Sequence, residues 1–234
     1  TVQSILAKSG HINHKYLKES ESDKKAVIVV TANRGLAGGY NSNITRMIID
    51  EGFTKENTVV YAVGKKGREL LERKGYEIKA DYSEAINDPI YKDAKEICDD
   101  VLSAFADGEV GEIYLAYTVF KNTVVHEPQL IRLLPVEADD AAHETDGSEA
   151  LMTYEPSEEE ALDMIIPKYV CSLVYGALIE SVASENGARM QAMDSATSNA
   201  EEMISTLSLK YNRARQASIT QELTEIIAGA NAIE

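Results

Sequence analysis

The run Ala26-Val27-Ile28-Val29-Val30-Thr31 carries almost no polar side chain. A β-branched run without a polar face predicts a strand buried on both sides, as in a parallel sheet. Thr58 to Val63 repeats the pattern. Between them, the stretch Gly35 to Gly39 predicts a tight turn, and Asn41 or Ser42 stands where it could cap a helix running to about Gly52. Gly64 to Lys74 predicts a second helix. Within 88–106, Ile90, Ala94, Ile97, Val101, Leu102 and Phe105 recur at helical spacing, which predicts a third, amphipathic helix. Glu112 to Thr118 reads as a strand, Lys121-Asn122 as a turn, and Thr123 to Leu134 as a returning strand. Two strand–helix units followed by an antiparallel pair predict an α/β domain with a mixed sheet over 21–136. Before it, in 1–20, Thr1 to Ser9 reads as the last turns of a helix closed by Gly10, and Lys18 to Lys25 as a polar linker.

The pattern changes after residue 156. Ser157-Glu158-Glu159-Glu160 is a capping box that opens a helix over 157–234. Pro167 should kink or restart it. From Lys168 to Glu234 there is no proline and there are only three glycines, 176, 187 and 229. A helix of roughly 60 residues would be about 90 Å long, too long for a compact domain of this size. Such length points to a coiled coil, a membrane span or a repeat. No repeat is visible, and no apolar run reaches the roughly 18 residues of a span, so a coiled coil remains. Met190, Met193, Thr197, Ala200, Ile204, Leu207, Tyr211 and Ala214 alternate by three and four, as a heptad seam requires. The seam is rich in small residues, which allow close approach but bury little apolar area each.

Charge and composition narrow the function. The chain has 234 residues and a formal net charge of −16, which argues against a nucleic-acid partner held by a basic patch. Residues 137–160 hold ten acids and no Lys or Arg, so that one stretch carries −10 of the −16. The segment 137–156 reads as a solvated acidic loop or an acidic docking surface. Two cysteines, Cys98 and Cys171, exclude a disulfide scaffold and a four-cysteine zinc site. The histidines (11, 14, 126 and 143) show no metal-ligand spacing with them. The chain starts at Thr1 without a signal peptide, as expected of a processed start or of a fragment.

Catalytic chemistry finds little support. Asn33-Arg34-Gly35-Leu36-Ala37-Gly38-Gly39-Tyr40-Asn41 sits between a strand and a helix, where backbone N–H groups can hold a phosphate. Its spacing is G-x-x-G-G rather than G-x-G-x-x-G, and it lacks a Walker Lys-Ser/Thr. No acid ends the second strand to hold a ribose. The loop is therefore either a structural turn or an atypical nucleotide site. Gly64-Lys65-Lys66-Gly67 is a weaker candidate of the same kind. No Ser/His/Asp or Cys/His arrangement stands out. His126 reads as structural, and Cys98 and Cys171 as buried, inert thiols. A small α/β domain with a long, partner-facing helix describes a lever, shaft or coiled-coil adaptor better than an enzyme.

One family matches these residues. Ile219-Thr220-Gln221-Glu222-Leu223-Thr224-Glu225-Ile226-Ile227-Ala228-Gly229-Ala230-Asn231-Ala232 resembles the C-terminal signature of the gamma subunits of F-type ATP synthases at every fixed position: Ile219, Thr220, Glu222, Glu225, Gly229 and Ala230. Tyr211 to Ala217, Ala183-Ser184-Glu185, Ala188-Arg189-Met190, Ala192-Met193 and Asn199-Ala200 resemble the family as well. So do Gly35, Gly38, Gly39 and Asn41 in the front loop, with Asn33 for the usual Asp and Ala37 for the usual Cys. The resemblance covers essentially the whole chain. The regulatory cysteine insert of chloroplast forms is missing, so thiol control is not expected.

The resemblance implies a small Rossmann-like domain and a long C-terminal helix that forms half of an antiparallel coiled coil. Most of the family's N-terminal helix is missing from this sequence. The seam of 190–227 is then expected to be exposed, pairing with another copy or partly disordered. The implied function is that of the central-stalk rotor of the proton-translocating ATP synthase, which makes no bonds itself. The implied partners are the alpha and beta subunits of the catalytic head, the epsilon subunit and the membrane c-ring. The implied location is peripheral, on the cytoplasmic face of the bacterial plasma membrane. No cofactor, metal or catalytic residue is implied in this chain. Arg215 and Gln216 match the contacts to the beta subunit, with Thr220 and Glu222 in the same coupling region; Gly35, Gly38 and Gly39 form a structural loop.

Overall fold

A computed structural model describes residues 14–17, 22–136 and 157–233. The expectations for Thr1–Ser9, Gly10 and the acidic loop 137–156 lie outside the described residues. The chain falls into two compact units divided between Gln191 and Ala192.

The first unit is built on five strands: β1 (Lys25–Val30), β2 (Thr58–Val63), β3 (Glu77–Asp81), β4 (Glu112–Phe120) and β5 (His126–Leu134). Their order is β3-β2-β1-β4-β5. β1 pairs in parallel with both β2 and β4, β2 in parallel with β3, and β4 antiparallel with β5. Helices α1 (Tyr40–Asp50), α2 (Lys65–Arg73), α3 (Tyr91–Ala106) and α4 (Glu158–Asn231) complete the fold, with a short 3₁₀ turn at Ser83–Ile86.

Alternation along β1 sorts the core into two layers. Val27 and Val29 pack with Ile44, Ile48 and Leu71, the buried sides of α1 and α2. Ala26, Ile28 and Val30 pack with Ile97, Val101 and Phe105 of α3 and with Leu162, Ile166, Val170 and Val174 of α4. The sheet thus lies between α1/α2 and α3/α4, and the fully apolar strands expected of a doubly covered sheet are observed. Each fully buried Ile or Leu contributes about 1.5–3 kcal/mol.

Several elements differ from their sequence patterns. β3, with the pattern Glu-Ile-Lys-Ala-Asp, has no counterpart in the sequence reading. It is a short edge strand, so it needs no continuous apolar run. The returning strand starts at His126 rather than Thr123, because the Asn122 carboxamide oxygen accepts hydrogen bonds from the Val124 and Val125 N–H groups and extends the turn. α3 starts at Tyr91, with Ile90 as its cap and the Asp93 carboxylate accepting from the Ile90 N–H at 3.0 Å.

Pro167 lies inside α4 without dividing it. Ser157 opens this helix as expected, its hydroxyl accepting from the Glu160 N–H at 3.2 Å. An 18-residue stretch within Glu159–Asn231 is apolar enough to cross a membrane, contrary to the sequence reading, but 39% of it is buried inside the fold. The apolarity of residues such as Leu162, Ile166, Val170, Val174 and Leu178 serves the core of the first unit.

The second unit, residues 192–233, is helical to Asn231. Its apolar residues lie open: Met193, Ile204, Leu207 and Tyr211 of the seam are all exposed, as are Ile219, Leu223, Ile226 and Ile227.

Candidate functional site

The strand order reverses between β1 and β4, from which the chain builds outward in opposite directions across the sheet. In open α/β sheets, ligands bind outside the carboxyl ends of the strands at that point. The glycine loop leaves β1 there. Leu36 and Gly38 both take positive φ, 62° and 55°, and the Leu36 side chain is 77% exposed. The loop feeds α1 through Gly39, with no side-chain cap. The expected caps have other partners: the Asn41 side-chain oxygen accepts from the Ala32 N–H at 2.8 Å, and the Ser42 hydroxyl donates to the Gly39 carbonyl at 3.0 Å.

The crevice is filled by the chain itself. The Tyr40 hydroxyl is buried and donates to the Ser181 carbonyl of α4 at 3.1 Å. The Ser184 hydroxyl donates to the Thr118 carbonyl at the end of β4, also at 3.1 Å. Ala188 packs on Ala32, Ala37 and Tyr40. Gly187 comes so close to the His126 ring that a Cβ there would stand 2.5 Å from Nε2. Burial pushes the Tyr40 hydroxyl well above its usual range, so it stays a neutral donor at physiological pH.

The second glycine motif is closed in the same way. The first N–H groups of α2 could face an anion. Here Lys65 N–H donates to the Asn33 side-chain oxygen, Lys66 N–H to the Ala32 carbonyl and Gly67 N–H to the Thr31 hydroxyl, at 3.0, 3.0 and 2.9 Å. The Asn33 amide group donates to the Ser83 carbonyl at 2.7 Å and to the Asn87 side chain at 2.9 Å. An aspartate at that position could not donate either bond. Two clefts lined by Tyr61, Lys79 and Glu109, of about 290 and 380 Å³, lie away from both glycine motifs. Among the described residues no cluster of metal-ligating side chains occurs. His126 packs against Gly187 and Phe120. Cys98 and Cys171 are free and buried; burial first, then the neighbouring Cys171, raises the Cys98 pKa and keeps its thiol protonated.

The coupling candidates lie in the second unit. Arg215, Gln216, Thr220 and Glu222 are all exposed on α4. At about 100° per residue, Ile219, Leu223, Ile226, Ile227 and Ala230 share one apolar arc. Arg215 and Glu222, seven residues apart, border one side of that arc and continue the line of Ile204 and Tyr211. Thr220 borders the other side, and Gln216, four residues before it, falls within the arc between Leu223 and Ile227. The Thr220 hydroxyl donates to the Gln216 carbonyl at 2.8 Å. The Glu225 carboxylate accepts from the Gln221 side chain at 2.9 Å. Gly229 has open space where a Cβ would stand. Sequence reasoning grouped the four candidates; the helix places Arg215 and Glu222 on one border of the stripe, Thr220 on the other and Gln216 within it.

Comparison with known proteins identifies the family. A family model described as ATP synthase matches residues 1–233. The chain is 66% identical over 239 residues to the ATP synthase gamma chain of Lachnoclostridium phytofermentans, covering 100% of this chain and 82% of that one. The chain belongs to the ATP synthase gamma-chain family. It is also 41% identical, over all of its length and 82% of the relative's, to the "ATP synthase gamma chain, sodium ion specific" of Acetobacterium woodii. A chain of the Euglena gracilis mitochondrial ATP synthase shares the fold with a TM-score of 0.67 at 18% identity, covering 99% of this chain and 86% of that one. A chain from the central stalk and c-ring of the Tetrahymena thermophila enzyme gives 0.59 at 23% identity, covering 84% and 93%.

Within this gamma-family chain, sequence reasoning missed the residues that close the crevice: Tyr40, Thr118, Ser181 and Ser184, with Gly187 against His126. A signal existed. Ser181, Ser184 and Ala188 follow helical spacing and are all small, as close packing of a helix on strand ends requires.

Proposed function

We propose that this chain is the central-stalk rotor subunit of an ATP synthase, coupling ion-driven rotation to conformational change in the catalytic beta subunits. The observation that carries this reading is the exposed apolar arc of residues 219–230, bordered by Arg215 and Glu222 on one side and by Thr220 on the other, with Gln216 inside it. Family membership makes the chain part of a membrane-associated complex. Its partners on this reading are the alpha and beta subunits around the helix, with epsilon and the membrane c-ring at the α/β domain. The complex then sits on the cytoplasmic face of the membrane.

On this reading no described residue of the chain makes or breaks a bond. The crevice that could hold a nucleotide is filled by α4, and the helix-start N–H groups of α2 already have partners. The work is differential: each rotor angle stabilises a different beta conformation. That coupling is reciprocal, so hydrolysis at the beta subunits can drive rotation in reverse.

Apolar side chains in an apolar sleeve make few directional contacts, so no angle becomes a deep trap. Arg215, a charged donor, and Gln216 then set the dwell angles against the beta subunit. The test is co-assembly. Alpha and beta subunits mixed with the chain should bind it at one copy per hexamer and change their Mg-ATP hydrolysis. Absence of binding would overturn the reading.

A further inference from the structure

We propose that the groove over Tyr61, toward the amino ends of β2 and β3, takes the ammonium group of a lysine from a neighbouring subunit of the complex. That there is such a subunit rests on the rotor reading above. The two clefts of about 290 and 380 Å³ share Tyr61, Lys79 and Glu109, so together they form one groove. Its walls are the first residues of β2 and β3, the last turn of α3 and the segment that leads into β4. It lies at the opposite end of the sheet from the glycine loop.

Tyr61 forms the floor. It is 2% exposed and belongs to the core layer that the sheet shares with α3. Its hydroxyl faces the groove and has no hydrogen-bond partner among the described residues. The charges that act on it are those of Lys79, Glu109 and Asp100, all in the groove wall. Burial raises the Tyr61 pKa, so the hydroxyl keeps its proton and offers a neutral oxygen. A buried polar group without a partner weakens a fold. A donor that enters the groove removes that cost.

The charge of the walls selects a cation. Glu77, Asp100, Asp107 and Glu109 stand against Lys24 and Lys79, and Lys79 is already engaged, its Nζ 3.1 Å from Glu109 Oε2. Asp107 is the C-cap of α3, Glu109 follows two residues on, and the last turn of α3 holds no basic residue. The carboxyl end of a helix carries partial negative charge and favours cations, so within the chain these acids stand at the unfavourable end. Among the described residues no acids are grouped to hold a metal ion. Asp100 is engaged by the Tyr82 hydroxyl. That leaves the carboxylates of Asp107 and Glu109, with the Tyr61 oxygen, as acceptors for the three donors of an ammonium group. A guanidinium fork prefers the paired oxygens of one carboxylate; here the acceptors belong to three separate residues.

The experiment uses the assembled ATP synthase and a carbodiimide, which joins a carboxylate to an amine only where the two touch. Crosslinks are located by mass spectrometry. The expected product links Asp107 or Glu109 to a lysine of another subunit. Its yield should fall at least about twofold in Tyr61→Phe, which keeps the ring packing and removes the hydroxyl oxygen. In parallel, carbodiimide with glycine ethyl ester labels open carboxylates. Asp107 should label severalfold less in the assembly than in the isolated chain. Equal labelling of Asp107 in the two states overturns the occupied groove. Protection of Asp107 without a crosslink to another subunit overturns the lysine as occupant, and an unchanged yield in Tyr61→Phe overturns the floor of the site. Each of these leaves the rotor reading intact. Failure of the parent chain to co-purify with the other subunits overturns the rotor reading itself, and the groove's partner with it.

Discussion

At the residue scale, the clearest constraint is Gly64. Its φ is 114°, and a Cβ there would stand 2.1 Å from the Thr31 carbonyl oxygen. Backbone cannot yield as a side-chain tip can. Gly64→Ala should destabilise the domain by about 3 kcal/mol, measured by denaturant unfolding; a loss below about 1 kcal/mol would contradict the close approach. A second residue-scale prediction concerns pH. Lys25 and Glu112 are register partners on β1 and β4, with Nζ 2.9 Å from Oε2. Burial works against the Glu112 charge, but the Lys25 ammonium, with Tyr114 and Arg132, holds the carboxyl below its ordinary value. A depressed carboxyl stabilises above its unfolded value of about 4.5 and loses that contribution as pH falls through its folded value. Glu112→Gln should therefore cost up to about 1 kcal/mol at pH 7, and that difference should shrink as pH falls through the folded value. An unchanged difference across that range would contradict the pair. At the tip, Arg215→Ala should reduce coupled ATP turnover about tenfold or more, the worth of a charge-assisted hydrogen bond, while the chain still assembles. Unchanged turnover would remove Arg215 from the mechanism.

At the scale of elements, legibility followed burial and period. β1 and β2 were plain because both faces of each are covered, so their central residues are nearly all apolar. α3 was plain because one face meets the sheet. β3 was invisible because an edge strand of five residues, three of them charged, carries no periodic signal. The start of α1 was misread for a related reason. Asn41 and Ser42 have the chemistry of caps, yet a tertiary bond to Ala32 and a local bond to Gly39 engage them instead. For the closed crevice the sequence offered only the small residues of α4, since what they pack on is up to 141 positions away, as Tyr40 is from Ser181. One prediction belongs at this scale. A nucleotide bound at 100 times its Kd would raise stability by about 2.7 kcal/mol. With the crevice filled by α4, millimolar Mg-ATP should leave the melting temperature of the chain unchanged. A dose-dependent rise would contradict the closure.

At the scale of the whole molecule, the chain combines a covered sheet with a helical segment whose apolar stripe has no partner within its own unit. The family signature was fully legible, because Ile219 to Ala230 forms one uninterrupted helical stretch whose order in sequence is its order in space. The placement of Arg215, Gln216, Thr220 and Glu222 about the stripe needed only the helical angle, and so was implicit in the same residues. The measurement that tests the rotor reading most directly is co-migration of the chain with alpha and beta subunits, read together with Mg-ATP hydrolysis. The account predicts one copy per alpha–beta hexamer and a changed hydrolysis rate. Alpha and beta subunits that assemble and hydrolyse ATP identically with and without the chain, and migrate apart from it, would contradict it.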